Sequence, residues 1–266
     1  MPVTIKDKLW IWGQNPNTHH GNGNPWRLPG ENRMTPMEGC YYLGVPNCCR
    51  VGMLGIPKPP LDQDAMVLDT LDRVVWSILG DTHSGNEVYL DEVLRIAREH
   101  PNVVGAVMDD FICTPGRSEI YTPQVLREYR ERLHTELSRR LDLWVVLYEY
   151  ELDKPVKASL DECDVITFWT WNAANLTMLE ENYRRLRQLV GEDKPIIAGC
   201  YMWDYGAALP MPMDLMRHQL DVYHSWLREG KIDGVIFCSN CIADLELKAV
   251  DYTRDWIREH GAETLG

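Results

Sequence analysis

Residues 103–123 read VVGAVMDDFICTPGRSEIYTP, and the order of events along this stretch decides the fold. Val103 to Met108 is apolar or glycine throughout, without polar alternation. That is the pattern of a strand covered on both faces, as in parallel sheets flanked by helices. Asp109 and Asp110 end the run, and a segment rich in turn residues follows. Thr122-Pro123 then has the form of a helix N-cap with proline at the first helical position. Beyond it Leu126, Tyr129, Leu133 and Leu137 recur at helical spacing and turn one apolar face inward.

The same strand–loop–helix unit recurs on both sides. Comparable apolar runs lie at Leu9–Gly13, Cys49–Leu54, Val74–Leu79, Leu143–Tyr148, Val165–Trp169, Ile196–Tyr201 and Gly234–Cys238. Helical spacing follows in Leu90, Val93 and Ala97 after Asn86, and in Leu179, Tyr183 and Leu186 after Asn175. It appears again in Leu220, Tyr223 and Leu227 before Gly230, a C-terminal cap. Only Lys154–Cys163 is too short for more than a brief helix. Strands alternating with crossover helices predict a parallel sheet. At 266 residues the chain has the length of a single (β/α)8 TIM barrel spanning residues 1–266. The competing doubly wound sheet usually carries a glycine-rich phosphate turn, and neither GxGxxG nor GxxxxGK[ST] occurs.

Composition narrows the partners. A formal net charge of −13 and the absence of a long basic run argue against nucleic acid and anionic membranes. No stretch is apolar enough for a signal peptide or a bilayer span, so a cytoplasmic location is expected. Several of the eight cysteines sit inside strand-like runs, as reduced core residues do. Cys238-Ser239-Asn240-Cys241 is a lone CxxC after a strand and reads as structural.

In barrels the loops after the strands build the active site. Here those loops are the longer ones, and the longest runs from about Gln14 to Arg33 as QNPNTHHGNGNPWRLPGENR. Carboxylates follow the fourth, fifth and seventh strands at Asp109, Asp110, Glu149 and Asp204. Glycosidic cleavage commonly needs two carboxyl groups, one to protonate the leaving oxygen and one to assist attack at the anomeric carbon. Aromatic and polar residues lie beside them: Trp12, Gln14, His19, His20, His83, Trp169, Trp171, Tyr201, Trp203, Tyr205 and Asn240. Aromatic faces suit the CH surfaces of sugar rings, and amides and imidazoles suit hydroxyls. Trp171 and Trp203, at strand ends, are the expected platforms; Trp10, Trp76 and Trp144 are expected to pack the core.

At Val107-Met108-Asp109-Asp110-Phe111, Thr167-Phe168-Trp169-Thr170-Trp171 and Tyr201-Met202-Trp203-Asp204-Tyr205 the chain resembles glycoside-hydrolase-like barrels. Carboxylates after strands four, five and seven are similar to the arrangement of the alpha-amylase clan, whose short motifs are absent. Aspartate rather than glutamate ends strands four and seven, and the chitinase-type DxxDxDxE run is missing. The resemblance implies carbohydrate chemistry; with the strand-end carboxylates it makes a glycosidase acting on a small-molecule or oligosaccharide substrate, without cofactor or metal, the first expectation. Two alternatives stay open. One is a metal-dependent isomerase, lyase or aldolase using His19, His20, His83 and acidic neighbours such as Asp81. The other is a carbohydrate-binding barrel without chemistry.

Overall fold

The computed structural model describes residues 2–79 and 87–266. The expectations at Asp81, His83 and Asn86 lie outside the described residues. Eight parallel strands form the barrel: β1 Leu9–Gly13, β2 Asn47–Arg50, β3 Arg73–Leu79, β4 Val103–Met108, β5 Asp142–Tyr148, β6 Val165–Trp169, β7 Ile196–Tyr201 and β8 Gly234–Cys238. They hydrogen-bond in the closed order β1-β8-β7-β6-β5-β4-β3-β2, which is the (β/α)8 TIM barrel. The helices are α1 Pro36–Leu43, α2 Asp62–Leu68, α3 Glu87–Glu99, α4 Pro123–Thr135, α5 Lys157–Asp161, α6 Leu179–Val190, α7 Met213–Arg228, α8 Asn240–Ala243 and α9 Lys248–His260.

The described chain divides into two compact units. One comprises Met1–Cys48, Trp169–Leu179 and Ile197–Gly266; the other comprises Cys49–Phe168 and Glu180–Ile196. In the first, β1 pairs with β8 from Leu9↔Val235 to Trp12↔Cys238, and β8 pairs with β7 from Gly234↔Ile197 to Cys238↔Tyr201. The indole of Trp169 lies directly against Gly199, where any Cβ would collide with the ring. Glycine is therefore required there by close approach. In the second, β4 pairs with β3 and with β5, the latter from Gly105↔Asp142 to Met108↔Val145.

Most sequence expectations match the elements closely, and three differ. The second strand is Asn47–Arg50 rather than Cys49–Leu54. Asn47 donates to the Asp7 and Leu9 carbonyls at 3.1 and 2.8 Å, drawing the strand start earlier. The chain then leaves the sheet in a tight turn closed by Met53 N–H to Ile56 O at 2.9 Å and Ile56 N–H to Met53 O at 3.1 Å. Asn172, not Asn175, stands before the 3-10 turn Ala173–Met178 that leads into α6. Helix α4 ends at Thr135, so Leu137 lies beyond it. The cap itself is as read: Thr122 Oγ1 accepts from Val125 N–H at 3.4 Å. Trp10, Trp76 and Trp144 are buried. All eight cysteines are free, seven buried and Cys113 half-buried. Among the described residues no helix is long and apolar enough to cross a membrane.

Candidate active site

Each unit carries its own cluster of the expected residues after its strands. In the second unit the acids at the ends of β4 and β5 come together. Asp109 continues the ladder through its N–H to the Leu79 carbonyl at 3.0 Å, and its side chain is buried. Asp110 is half-buried and turns into the left-handed region at φ 47°. For a non-glycine residue that conformation costs about 1–3 kcal/mol and persists only where neighbours enforce it. The enforcement is visible: Thr114 Oγ1 donates to the Asp110 carbonyl at 2.7 Å, and Arg117 Nη1 donates to the same oxygen at 3.1 Å. The Tyr148 hydroxyl donates to Asp110 Oδ1 at 2.9 Å.

Strand β5 ends at Tyr148 and tightens into a 3-10 turn over Glu149–Glu151. Glu149 and Glu151 are both buried. Glu151 Oε2 accepts the Tyr148 N–H at 3.0 Å. Burial pushes the Glu151 carboxyl above its ordinary range, against the Tyr148 N–H, Lys154 and Cys113, and the charge of Asp110 adds a smaller upward push. Tyr150 stacks on Tyr148 at 5.1 Å with planes 7° apart, and Lys154 Nζ lies 5.4 Å from its centroid. Burial raises the Tyr150 hydroxyl, helped by the charges of Glu151, Asp110 and Glu149. Glu151, Tyr148, Tyr150 and Arg117 were not singled out from sequence. The EYE triplet after the fifth strand was the available signal, because a single tight turn keeps both glutamates near the strand end.

In the first unit an aromatic cluster follows β1, β6 and β7. Trp12 meets Trp169 edge-on at 5.2 Å, and Trp169 meets Tyr201 at 4.8 Å. Trp171, half-buried, stacks on Tyr205 at 5.9 Å. His19 is buried with both ring nitrogens bonded: Tyr205 Oη lies 2.8 Å from Nδ1, and Gln14 Oε1 meets Nε2. Burial, with the charge of His20 adding to it, lowers the His19 pKa to about 3, so the ring is neutral. Burial also raises the Tyr205 hydroxyl well above its ordinary value, which keeps its proton available to donate to Nδ1. Nε2–H then donates to Gln14, fixing the tautomer. Trp26, from the long loop, packs edge-on to both His19 and Tyr205 at 5.2 Å.

Other expected contact residues are held internally. Trp203 is only 3% exposed, and its indole N–H donates to the Trp26 carbonyl at 3.1 Å, so it braces the loop instead of presenting the expected open face. Asn240 is buried; its Nδ2 donates to the Gln14 and Met34 carbonyls at 2.9 and 2.7 Å, and its Oδ1 accepts from Gln14 N–H at 2.8 Å. Asp204 Oδ1 accepts from the Ala173 and Ala207 amides at 3.2 and 3.1 Å. His20 Nε2 lies 3.3 Å from the Pro29 carbonyl. Among the described residues, the groups that bring three metal-ligating side chains together are His134, Asp142 and Asp164, and His224, His260 and Glu263. Neither contains His19 or His20.

No protein-family model matches the chain, and no curated protein matches it. Solved structures do. An endo-beta-N-acetylglucosaminidase from Cordyceps militaris superposes with TM-score 0.55 at 11% identity, covering 95% of this chain and 90% of that one. The spore cortex-lytic enzyme SleL of Bacillus cereus gives 0.57 at 10% identity, covering 99% and 76%. A protein described as a 2-pyrone-4,6-dicarboxylic acid hydrolase from Pseudomonas putida gives 0.55 at 10%, covering 97% and 94%. At such identity the shared property is the fold. The chain is a (β/α)8 barrel.

Proposed function

We propose that the protein is a hydrolase of the glycosidase type, acting on a saccharide or glycoside without a cofactor. The observation that carries this reading is the acid cluster after β4 and β5. It holds a solvent-reachable aspartate, Asp110, in a strained backbone and under a tyrosine hydroxyl, near Glu151, whose proton affinity burial raises. A carboxylic acid that keeps its proton beside an ionised partner is the condition for acid-assisted glycoside cleavage. In this reading Glu151 protonates the leaving oxygen, and Asp110 assists attack at the anomeric carbon as nucleophile or through water. Asp109 and Glu149 are buried at the ends of the same two strands. Asp204 holds loop backbone through its two amide bonds and takes no part in proton transfer.

The metal-dependent lyase or isomerase reading is less favoured, because both nitrogens of His19 are already spent on Tyr205 and Gln14. In the first unit, Trp171 backed by Tyr205 is proposed separately as a stacking face for a sugar ring. The test is release of reducing sugar or aryl alcohol from a panel of oligosaccharides and aryl glycosides. The reading expects turnover on at least one member, with Asp110→Asn and Glu151→Gln each losing about a hundredfold or more, as lost general acid–base catalysis does. Wild-type turnover in both variants overturns it.

A further inference from the structure

The first unit gathers two imidazoles and a carboxylate from α7, the end of α9 and the segment after it. His224 Nε2 lies 2.9 Å from Glu263 Oε2, and His260 Nδ1 lies 2.6 Å from Glu263 Oε1. The ligand atoms of the three side chains all fall within 4.8 Å of one another. We propose that His224, His260 and Glu263 form a binding site for a divalent transition-metal ion of the zinc type.

Three features support a built site. The donor set, two nitrogens and a carboxylate oxygen, suits zinc and its neighbours in the first transition row and not calcium or magnesium. The side chains are prearranged: the two rings lie 4.4 Å apart, and Trp256 packs edge-on to His224 at 6.0 Å and beside His260 at 5.3 Å. Glu263 is pinned by its backbone, its N–H donating to the His260 carbonyl at 3.0 Å and its carbonyl accepting from Ile5 N–H at 2.9 Å. Finally, the cluster is open to an incoming ion, with side-chain exposures of 20% for His224, 23% for His260 and 36% for Glu263.

The required rearrangement is small. Metal–ligand bonds of about 2.0–2.2 Å put neighbouring tetrahedral ligands roughly 3.4 Å apart. The two nitrogen–oxygen gaps run to different oxygens of Glu263, so with one oxygen as ligand the three donor atoms, all within 4.8 Å of one another, adjust by up to about 1.4 Å around the ion, leaving a fourth position for water. The other three-residue group is a poorer host, because Arg140 already occupies it at 2.6 Å from Asp164 and 3.0 Å from Asp142.

The full chain, stripped of metal and titrated with zinc, is expected to bind one equivalent at this site. His260→Ala and Glu263→Gln, each checked for native circular dichroism, weaken zinc at least tenfold, whereas His134→Ala leaves the affinity unchanged. Should either variant misfold, X-ray absorption of the wild-type zinc form decides, and two imidazole ligands with light-atom donors are expected. Absence of stoichiometric binding overturns the proposal. So does an affinity lost in His134→Ala but kept in His260→Ala, or an absorption spectrum with sulfur or without two imidazoles.

Discussion

The Tyr148 hydroxyl reaches Asp110 Oδ1 at 2.9 Å, joining the ends of neighbouring strands β4 and β5 through a residue whose own backbone sits at φ 47°. Asp110 therefore pays in conformation for where its carboxylate stands. Glycine relieves that conformation, worth on the order of 1 kcal/mol, while removing the acid. Asp110→Gly is expected to unfold in urea at or above the wild-type midpoint while turnover falls about a hundredfold or more. Tyr148→Phe, which removes only the donor, is expected to lose about 1 kcal/mol of stability and several-fold in kcat. A strongly destabilised Asp110→Gly contradicts the strain.

Glu151 makes the complementary case. Its carboxyl is raised by burial, so the folded chain binds its proton more tightly than the unfolded chain does. The group favours folding at pH below its unfolded value, and that contribution is lost as pH rises through the folded value. At pH 7, above the unfolded value, the raised carboxyl is thus a cost to folding. Glu151→Gln keeps an acceptor for the Tyr148 N–H and removes that cost. Its Tm at pH 7 is expected to rise while activity falls. A lowered Tm contradicts the assignment.

His19 gives the opposite pH signature. Its pKa is about 3 in the folded chain against an unfolded value of 6.5. Stability held by the neutral ring is complete above pH 6.5 and is lost as pH falls towards 3. Two pH units within that window correspond to roughly 3 kcal/mol for one such group. Urea unfolding at pH 6.5 and 4.5 is expected to show a loss of this order, reduced in His19→Gln. Equal pH dependence in the two proteins contradicts the burial of a neutral imidazole.

Packing at the end of β6 supplies a test independent of charge. Because Trp169 lies against Gly199, Gly199→Ala has to displace the indole or the strand. Overpacking of this kind costs about 1–3 kcal/mol, visible as a lowered urea midpoint with the slope unchanged. A midpoint equal to wild type contradicts that contact.

The barrel was legible because most strands are nearly continuous apolar runs and the longer helices show their own period; Val103–Met108 and Thr122-Pro123 read directly into β4 and the cap of α4. The second strand was misplaced because Met53 and Leu54 are as apolar as strand residues, while the turn they form depends on the pairing of Met53 with Ile56. The acids after β4 and β5 were found as residue types, but their division of labour was not. That division depends on a left-handed Asp110 and on the burial of Glu151, neither of which has a periodic signal. Trp203 and Asn240 were misleading for the converse reason: a strand-end position says nothing about the Trp26 carbonyl or the Gln14 and Met34 backbone that engages them.

The roles given to Asp110 and Glu151 are separated most directly by leaving-group dependence. On a glycoside found active in the panel, kcat/KM is measured for wild type, Asp110→Asn and Glu151→Gln with a nitrophenyl and an alkyl leaving group, across pH. If Glu151 is the acid, Glu151→Gln loses the alkaline limb of the pH profile. It also loses about a hundredfold on the alkyl glycoside and far less on the nitrophenyl one, which departs without a proton. Asp110→Asn is expected to slow both substrates alike. Equal losses on the two leaving groups in Glu151→Gln, with the alkaline limb intact, would contradict the assignment.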